Sequence, residues 1–364
     1  MSPPLVSISE LVGSSKYNAI SDDSLKDEDN AAWVMLLPPD VAAEWIELFS
    51  WIRLIDRLAE SEWLEGWGSR FQVFKIGWRT LLVTGAVLPN DYHAAILDRM
   101  QKRWWHEQSR YMELASIHAW DEYVEATSEY HRSDMVFDKI EDYEWMLEHL
   151  GGSLFQIFPY QNEIQRQSVR AFGALDQFFN HLRDLEEDTR QHVCYFPSDV
   201  LDRFGVDRQE VIDHSCLNNE GFTKMMRFWL DDYLPYLFQK ASTFLQQQDM
   251  HFSWRLLRHW FLRRHARIER ALRVCNMDFR AATKMYFEEV KPNLGAWLKE
   301  TFLAEGCGEL LLTGPDLPMQ KPGAARAEKP ASSPGQEQLV AAEVAQPADS
   351  GLLVLSRQRN IRTA

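Results

Sequence analysis

From about residue 39 to residue 302, apolar side chains recur at helical spacing almost throughout. Strand-like alternation bounded by Asn-Gly or Asp-Gly turns is missing. That pattern restricts the chain to an all-α architecture. Breaks fall at Pro38-Pro39, at Gly85 to Pro89, at Gly151-Gly152 and near Pro197 to Gly205. The segments between them suit helices of roughly 15 to 25 residues. Residues 1–30 are polar and aperiodic and read as an arm, leaving 31–305 as one helical domain. Residues 313–364 are rich in Pro, Ala, Gly, Ser and Gln. Such a tail cannot bury enough apolar surface to offset its ordering entropy, so it is expected to be disordered.

Charge and composition exclude several function classes. The formal net charge of -15 argues against nucleic acid, which needs concentrated Lys and Arg. The same charge opposes an anionic ligand unless cations intervene, so a diphosphate-binding reading requires divalent metal. Fourteen Trp, 11 Tyr and 20 Phe are enough either for a bulky core or for an apolar pocket that holds a cation. Cys194, Cys216, Cys275 and Cys307 form no CxxC pair and no zinc spacing, which fits a reduced, cytoplasmic setting. The N-terminus has no secretory-signal pattern, and no apolar run approaches the length of a membrane span. Loose association with a membrane surface stays open, and the oligomeric state is silent.

Two segments carry carboxylates at helical spacing. In Val41 to Glu62, Trp45, Leu48, Phe49 and Ile52 define a buried stripe whose continuation reaches Asp56, Ala59 and Glu60. Asp56 and Glu60 share a face, with Arg53 on the same side. Carboxylates on an apolar face are costly unless paired or bound to metal. A plain ion pair of Arg53 with either acid accounts for the same pattern. In Ala171 to Arg190 the apolar side is Leu175, Phe178, Phe179 and Leu182. Gly173, Gln177, Asn180, Asp184 and Asp188 fall within one arc on the other side. That sequence of side chains reads as the wall of a polar site or, more plainly, as a solvated acidic face. Two such pairs facing a cavity would suit Mg²⁺, which is often held by one or two carboxylates together with substrate phosphates.

Around these residues the chain resembles the squalene/phytoene synthase family of head-to-head prenyl synthases. The longest match is Asn180-His181-Leu182-Arg183-Asp184-Leu185-Glu186-Glu187-Asp188-Thr189-Arg190. It continues through Tyr195-Phe196-Pro197-Ser198-Asp199 to Arg203-Phe204-Gly205. A second match is Leu36-Leu37-Pro38-Pro39 with Phe49, Arg53 and Asp56-Arg57-Leu58-Ala59-Glu60, and a third runs from Tyr143 to Gly152. The resemblance spans roughly residues 30 to 300. It implies an isoprenoid synthase-type helical bundle with a central cavity. By that analogy Asp56, Glu60, Asp184 and Asp188 hold Mg²⁺. Arg53, Tyr143, Gln177 and Asn180 contact the diphosphate or support residues that do.

The chain departs from the family pattern in places. The first motif ends in Glu60 instead of Asp. Glu148-His149 stands where the family has a small Ala-Gly pair, which would narrow or polarise that wall. Asp27-Glu28-Asp29-Asn30 replaces a Ser, Lys and Phe group and would repel a second diphosphate. The basic run from Arg255 to Arg273 either contacts phosphate or an anionic membrane, or pairs with surrounding acids. His149 reads either as a proton acceptor in the cavity or as a structural histidine. No Ser/His/Asp or Cys/His nucleophile set, Walker loop or GxGxxG is present. NADPH therefore has no motif to support it, although reductive members of that family lack a Rossmann signature too.

The resemblance thus implies a Mg²⁺-dependent prenyltransferase. It would condense two farnesyl or geranylgeranyl diphosphates to a presqualene/squalene- or phytoene-type product. Alternatives on the same fold are a class I terpene cyclase, a prenyltransferase to another acceptor, and a non-catalytic scaffold.

Overall fold

A computed structural model describes residues 8, 23–65, 70–105, 110–130 and 135–305. The expected tail, residues 313–364, lies outside them, as do residues 1–7 and 9–22 of the expected arm. Among the described residues there are fourteen α-helices and no strand. The first seven are α1 (Asp23–Ala31), α2 (Pro39–Glu65), α3 (Arg70–Thr84), α4 (Ala94–Trp104), α5 (Arg110–Tyr130), α6 (Ile140–Leu147) and α7 (Ser153–Gln156). Then come α8 (Glu163–Arg190), α9 (Ser198–Phe204), α10 (Arg208–Ile212), α11 (Glu220–Phe228), α12 (Leu234–Leu245), α13 (Phe252–Val274) and α14 (Phe279–Ala304). Helix α1 occupies part of the segment read as an arm. Its Asp29 is fully buried, so this segment belongs to the domain.

Helix α8 is the central element, packing against α12, α14, α13 and α7. Its start is fixed by a capping box: Gln165 N donates to Asn162 Oδ1 at 2.8 Å and Asn162 N to Gln165 Oε1 at 3.0 Å. Its apolar side buries Leu175, Phe178, Phe179 and Leu182, the stripe expected from periodicity. The break expected at Pro197 to Gly205 is real. Pro197 caps α9, and Gly205 ends it at φ 64°, where a Cβ would be strained.

Gly151-Gly152, by contrast, is no break. Both lie in a π-helical turn, Glu148–Gly152, that joins α6 to α7 without interruption. Their role is close approach. A Cβ on Gly151 or Gly173 would collide with the backbone carbonyl of the other. Gly173 is therefore a helix-crossing contact, not part of a polar wall.

The tryptophans build the core. Trp51 packs edge-on to Trp104 at 5.2 Å and near Trp120 at 6.2 Å, and Trp78 joins them from α3. Cys194, Cys216 and Cys275 are free thiols, and Cys307 lies outside the described residues. No described helix is long and apolar enough to cross a membrane.

Candidate active site

Helices α1, α2, α5, α7, α8 and α13 enclose a cavity of about 270 Å³. Phenylalanines, not tryptophans, join the aliphatic residues of its apolar lining: Phe49 from α2, Phe155 and Phe158 around α7, and Phe261 from α13. The polar lining combines Asp56 and Arg53 of α2 with Gln177, Asn180, Arg183, Asp184 and Glu187 of α8. Asp56 and Asp184, read from separate segments, thus face one space.

Their surroundings differ. Asp56 accepts a hydrogen bond from the buried Tyr123 hydroxyl at 2.5 Å. Burial and then the Asp56 charge push the Tyr123 hydroxyl well above its ordinary range, so it stays a donor. Asp184 is gripped by cations. Arg183 meets it through Nε and Nη2, both at 2.8 Å, and Lys26 Nζ lies 3.2 Å away. Burial opposes its ionisation, but Arg183 and Lys26 outweigh burial and hold its carboxyl below the usual range. Lys26 also bonds Glu187.

Asp188 lies one turn beyond Asp184 and is not part of the cavity lining. Burial first, and the Asp184 charge second, push its carboxyl well above the usual range. A nearby cation would lower it again, as Lys26 and Arg183 already do in part. The side chain of Glu60 lies outside the described residues. Among the described residues no three metal-ligating side chains converge on one point. The donor set therefore does not fit an all-protein metal cage. It fits ions shared with a diphosphate, which need only one or two protein carboxylates each.

Of the other expected residues, Arg53 lies 3.5 Å from Asp27 Oδ1, and both line the cavity. Gln177 and Asn180 also line it. Tyr143 stands behind the wall. Its hydroxyl is 3.0 Å from His181 Nδ1, and His181 Nε2 is 3.0 Å from Gln177 Nε2, so Tyr143 braces Gln177 through His181.

Two expected departures turn out differently. Glu148 and His149 do not line the cavity. Glu148 pairs with Lys240 of α12 at 2.5 Å, and His149 with Glu122 of α5 at 3.2 Å. The π turn carries them round to the outside, so they neither narrow the wall nor offer a base. Within Asp27 to Asn30, Asp29 and Asn30 are turned to partners inside the fold, while Asp27 lines the cavity. Asp29 is buried against Arg267 Nη2 at 3.1 Å and bonds the Tyr286 hydroxyl. Asn30 Oδ1 accepts from Arg183 Nη1 at 3.0 Å and from Arg264.

The sequence reading missed Lys26, Tyr123 and Asp176, and it named Asn30 and Arg264 only within the Asp27–Asn30 stretch and the basic run. Most arginines of the basic run do pair with acids, among them Arg263 with Glu300 and Arg270 with Glu289. Arg264 alone of that run reaches the cavity.

Comparison with known proteins agrees with this architecture. The profile of the squalene/phytoene synthase family matches residues 86–284. None of the curated proteins compared with the chain matches it. Among solved structures, a dehydrosqualene synthase in complex with ligand superposes with a TM-score of 0.51 at 13% identity. The match covers 80% of this chain and 97% of that one. At that identity the likeness speaks for the fold, which is the all-α isoprenoid synthase type. The family profile spans more than half of the sequence and includes Asn180, Arg183, Asp184 and Asp188; the chain belongs to the squalene/phytoene synthase family.

Proposed function

We propose that this protein joins two allylic prenyl diphosphates, farnesyl or geranylgeranyl diphosphate, head to head to a presqualene/squalene- or phytoene-type product. The observation that carries the reading is the convergence of Asp56 and Asp184, from different helices, on one phenylalanine-lined cavity with Arg53, Gln177 and Asn180. Asp56, Asp184 and Asp188 would hold Mg²⁺, with Glu60 extending the α2 motif. Bound there, the metal would neutralise the diphosphate and stabilise it as a leaving group.

The chain's own residues account for the remainder. Arg53 and Asn180 bind the diphosphate oxygens, and Gln177, held by Tyr143 through His181, orients them. Tyr123 fixes the Asp56 carboxylate by donating to it. When the C–O bond of the first substrate breaks, the electron pair leaves with the diphosphate. The rings of Phe49, Phe155, Phe158 and Phe261 shield the allylic cation and present π faces to it. The double bond of the second substrate attacks, and a proton passes to the departed diphosphate as the cyclopropane closes. A second ionisation and rearrangement would leave a carbocation, which gives a phytoene-type product by losing a proton or a squalene-type product by accepting hydride from NADPH.

Incubation of purified protein with Mg²⁺ and either diphosphate, with and without NADPH, tests the reading against an Asp184→Ala control. A presqualene-, squalene- or phytoene-type product that the control lacks supports it. Metal-dependent diphosphate release to a cyclic terpene or to another acceptor would replace it with the corresponding alternative.

A further inference from the structure

Helix α1 contributes Lys26, Asp27 and Asn30 to the cavity wall. Lys26 and Asp27 are adjacent in sequence yet reach different helices. Lys26 Nζ bridges Asp184 Oδ1, at 3.2 Å, and Glu187 of α8. Asp27 Oδ1 lies 3.5 Å from Arg53 Nε of α2. All five side chains are at most 20% exposed, so these pairs are largely shielded from bulk water. Lys26 thus brings positive charge to a carboxylate assigned to metal. Asp27 brings carboxylate oxygens to the guanidinium assigned to diphosphate. A metal-bound diphosphate would present the same two charges, its cation to Asp184 and its oxygens to Arg53.

The next turn of α1 is held differently. Asp29 is bound by Arg267 Nη2 at 3.1 Å and by the Tyr286 hydroxyl, and its carbonyl accepts from the Trp260 indole. Asn30 Oδ1 accepts from Arg183 and Arg264, and its carbonyl accepts from the Trp33 indole at 3.1 Å. None of these bonds involves a residue assigned to metal or diphosphate. Those of Lys26 and Asp27 do.

We propose that the Lys26-Asp27 pair is a built-in stand-in for the metal–diphosphate pair, covering Asp184 and Arg53 in the empty site until ligand displaces it. The inference rests on the proposed function and adds how that site is regulated. The flexible stem of Lys26 lets its ammonium leave. Asp29 and Asn30 keep α1 attached, so the pair returns when product departs. Ligand affinity is lowered in proportion to the fraction of molecules in which the site is open. Metal alone would free Asp184 but leave Arg53 covered, so metal and diphosphate bind best together.

Plain electrostatics makes the opposite forecast for Lys26, since loss of a positive charge should weaken binding of an anion. Calorimetric titration of inorganic pyrophosphate, in the presence of Mg²⁺, into wild-type protein, Lys26→Met and Asp27→Ser separates the two. Both variants should bind about tenfold tighter, as expected where the open form makes up about a tenth of the molecules. Equal or weaker binding by either variant would overturn the inference, and weaker binding by Lys26→Met would make Lys26 a direct diphosphate contact. If the variants do not fold, hydrogen exchange on wild-type protein decides. Mg²⁺ with pyrophosphate should speed exchange at the Lys26 and Asp27 amides, and slower or unchanged exchange there sinks the idea. If wild-type protein binds pyrophosphate and the variants do no better, only the stand-in falls; if none of the three binds it, the diphosphate reading falls as well.

Discussion

Asp184 and Asp176 share a helix and a face, and each has an arginine partner, yet their settings are built for different tasks. Asp184 is 19% exposed in its side chain, and the cations it meets, Arg183 and Lys26, come from α8 itself and from α1. Asp176 is sealed by Arg264 and His265 of α13 and ringed by phenylalanine. The first is a carboxylate whose cation Lys26 can be exchanged, since a lysine on a flexible stem gives way to a metal more readily than a rigid guanidinium does. The second is fixed, with Arg264 and His265 both on its Oδ1 and Asn180 on its Oδ2. Placing an acid beside a cation thus does not define a site; what matters is which partners can leave.

Substitutions at the two positions should separate these roles. Asp184→Ala is expected to lower turnover by roughly a thousandfold, a loss typical of removing one electrostatic contact to developing charge. Its stability should fall as well, because Arg183, 4% exposed in its side chain, loses the acid it meets through two nitrogens; steady-state kinetics beside a melting curve checks both. Asp176→Leu should act chiefly on stability. It leaves Arg264 buried without its acid and should cost about 3–5 kcal/mol, measurable by urea unfolding. Asp176→Leu/Arg264→Met should recover most of that loss. If the single and double variants are equally unstable, the pair is not a coupled unit.

Packing gives the next effect. Gly173→Ala puts a methyl group against the Gly151 carbonyl and the Gly152 backbone, which cannot retreat as a flexible side chain can. A loss of about 1–3 kcal/mol is expected, and an unchanged melting temperature would show that α8 and the π turn can move apart at this crossing.

Acid should act on the sealed end as well. Burial lowers the His265 pKa below its ordinary 6.5, despite Asp176. Because the unfolded chain then binds the proton first, this group's stabilisation is complete above pH 6.5 and declines as pH falls from 6.5 toward the folded pKa. His149, His93 and His251 are lowered by burial too and add to the same slope. His265→Gln should make the pH dependence of unfolding shallower, and an unchanged slope would assign it to the other three.

The smallest effect belongs to Tyr143→Phe. Removing its bond to His181 should shift the apparent KM severalfold, with kcat nearly unchanged, by loosening Gln177 by about 1 kcal/mol. A large fall in kcat would instead place the Tyr143 hydroxyl in contact with reacting atoms.

Much of this was legible in the sequence, and the failures have physical causes. Period-3.6 spacing placed Asp56 beside Arg53, and Gln177, Asn180 and Asp184 on one face, because α2 and α8 are long and regular. Two readings that did not rest on spacing failed in one place: Glu148-His149, placed by the resemblance, and Gly151-Gly152, read as a break, all lie in the π turn Glu148–Gly152, where the glycines serve a close crossing with α8. Lys26 escaped notice because α1 is short and polar, and its fit depends on partners in α8 more than 150 residues away. Arg264 was hidden among arginines that do pair with surface acids. Only tertiary placement sets it apart, since no local pattern reports which face of α13 meets Asp176.

The central claim is that α2 and α8 together hold a diphosphate through divalent cations. Its most direct test is calorimetric titration of inorganic pyrophosphate, with and without Mg²⁺, into wild-type protein, Asp56→Ala and Asp184→Ala. The account predicts tight binding to wild-type protein only when Mg²⁺ is present, and loss of that Mg²⁺-dependent part in both variants. Binding that needs no metal, or that survives loss of either aspartate, would contradict it.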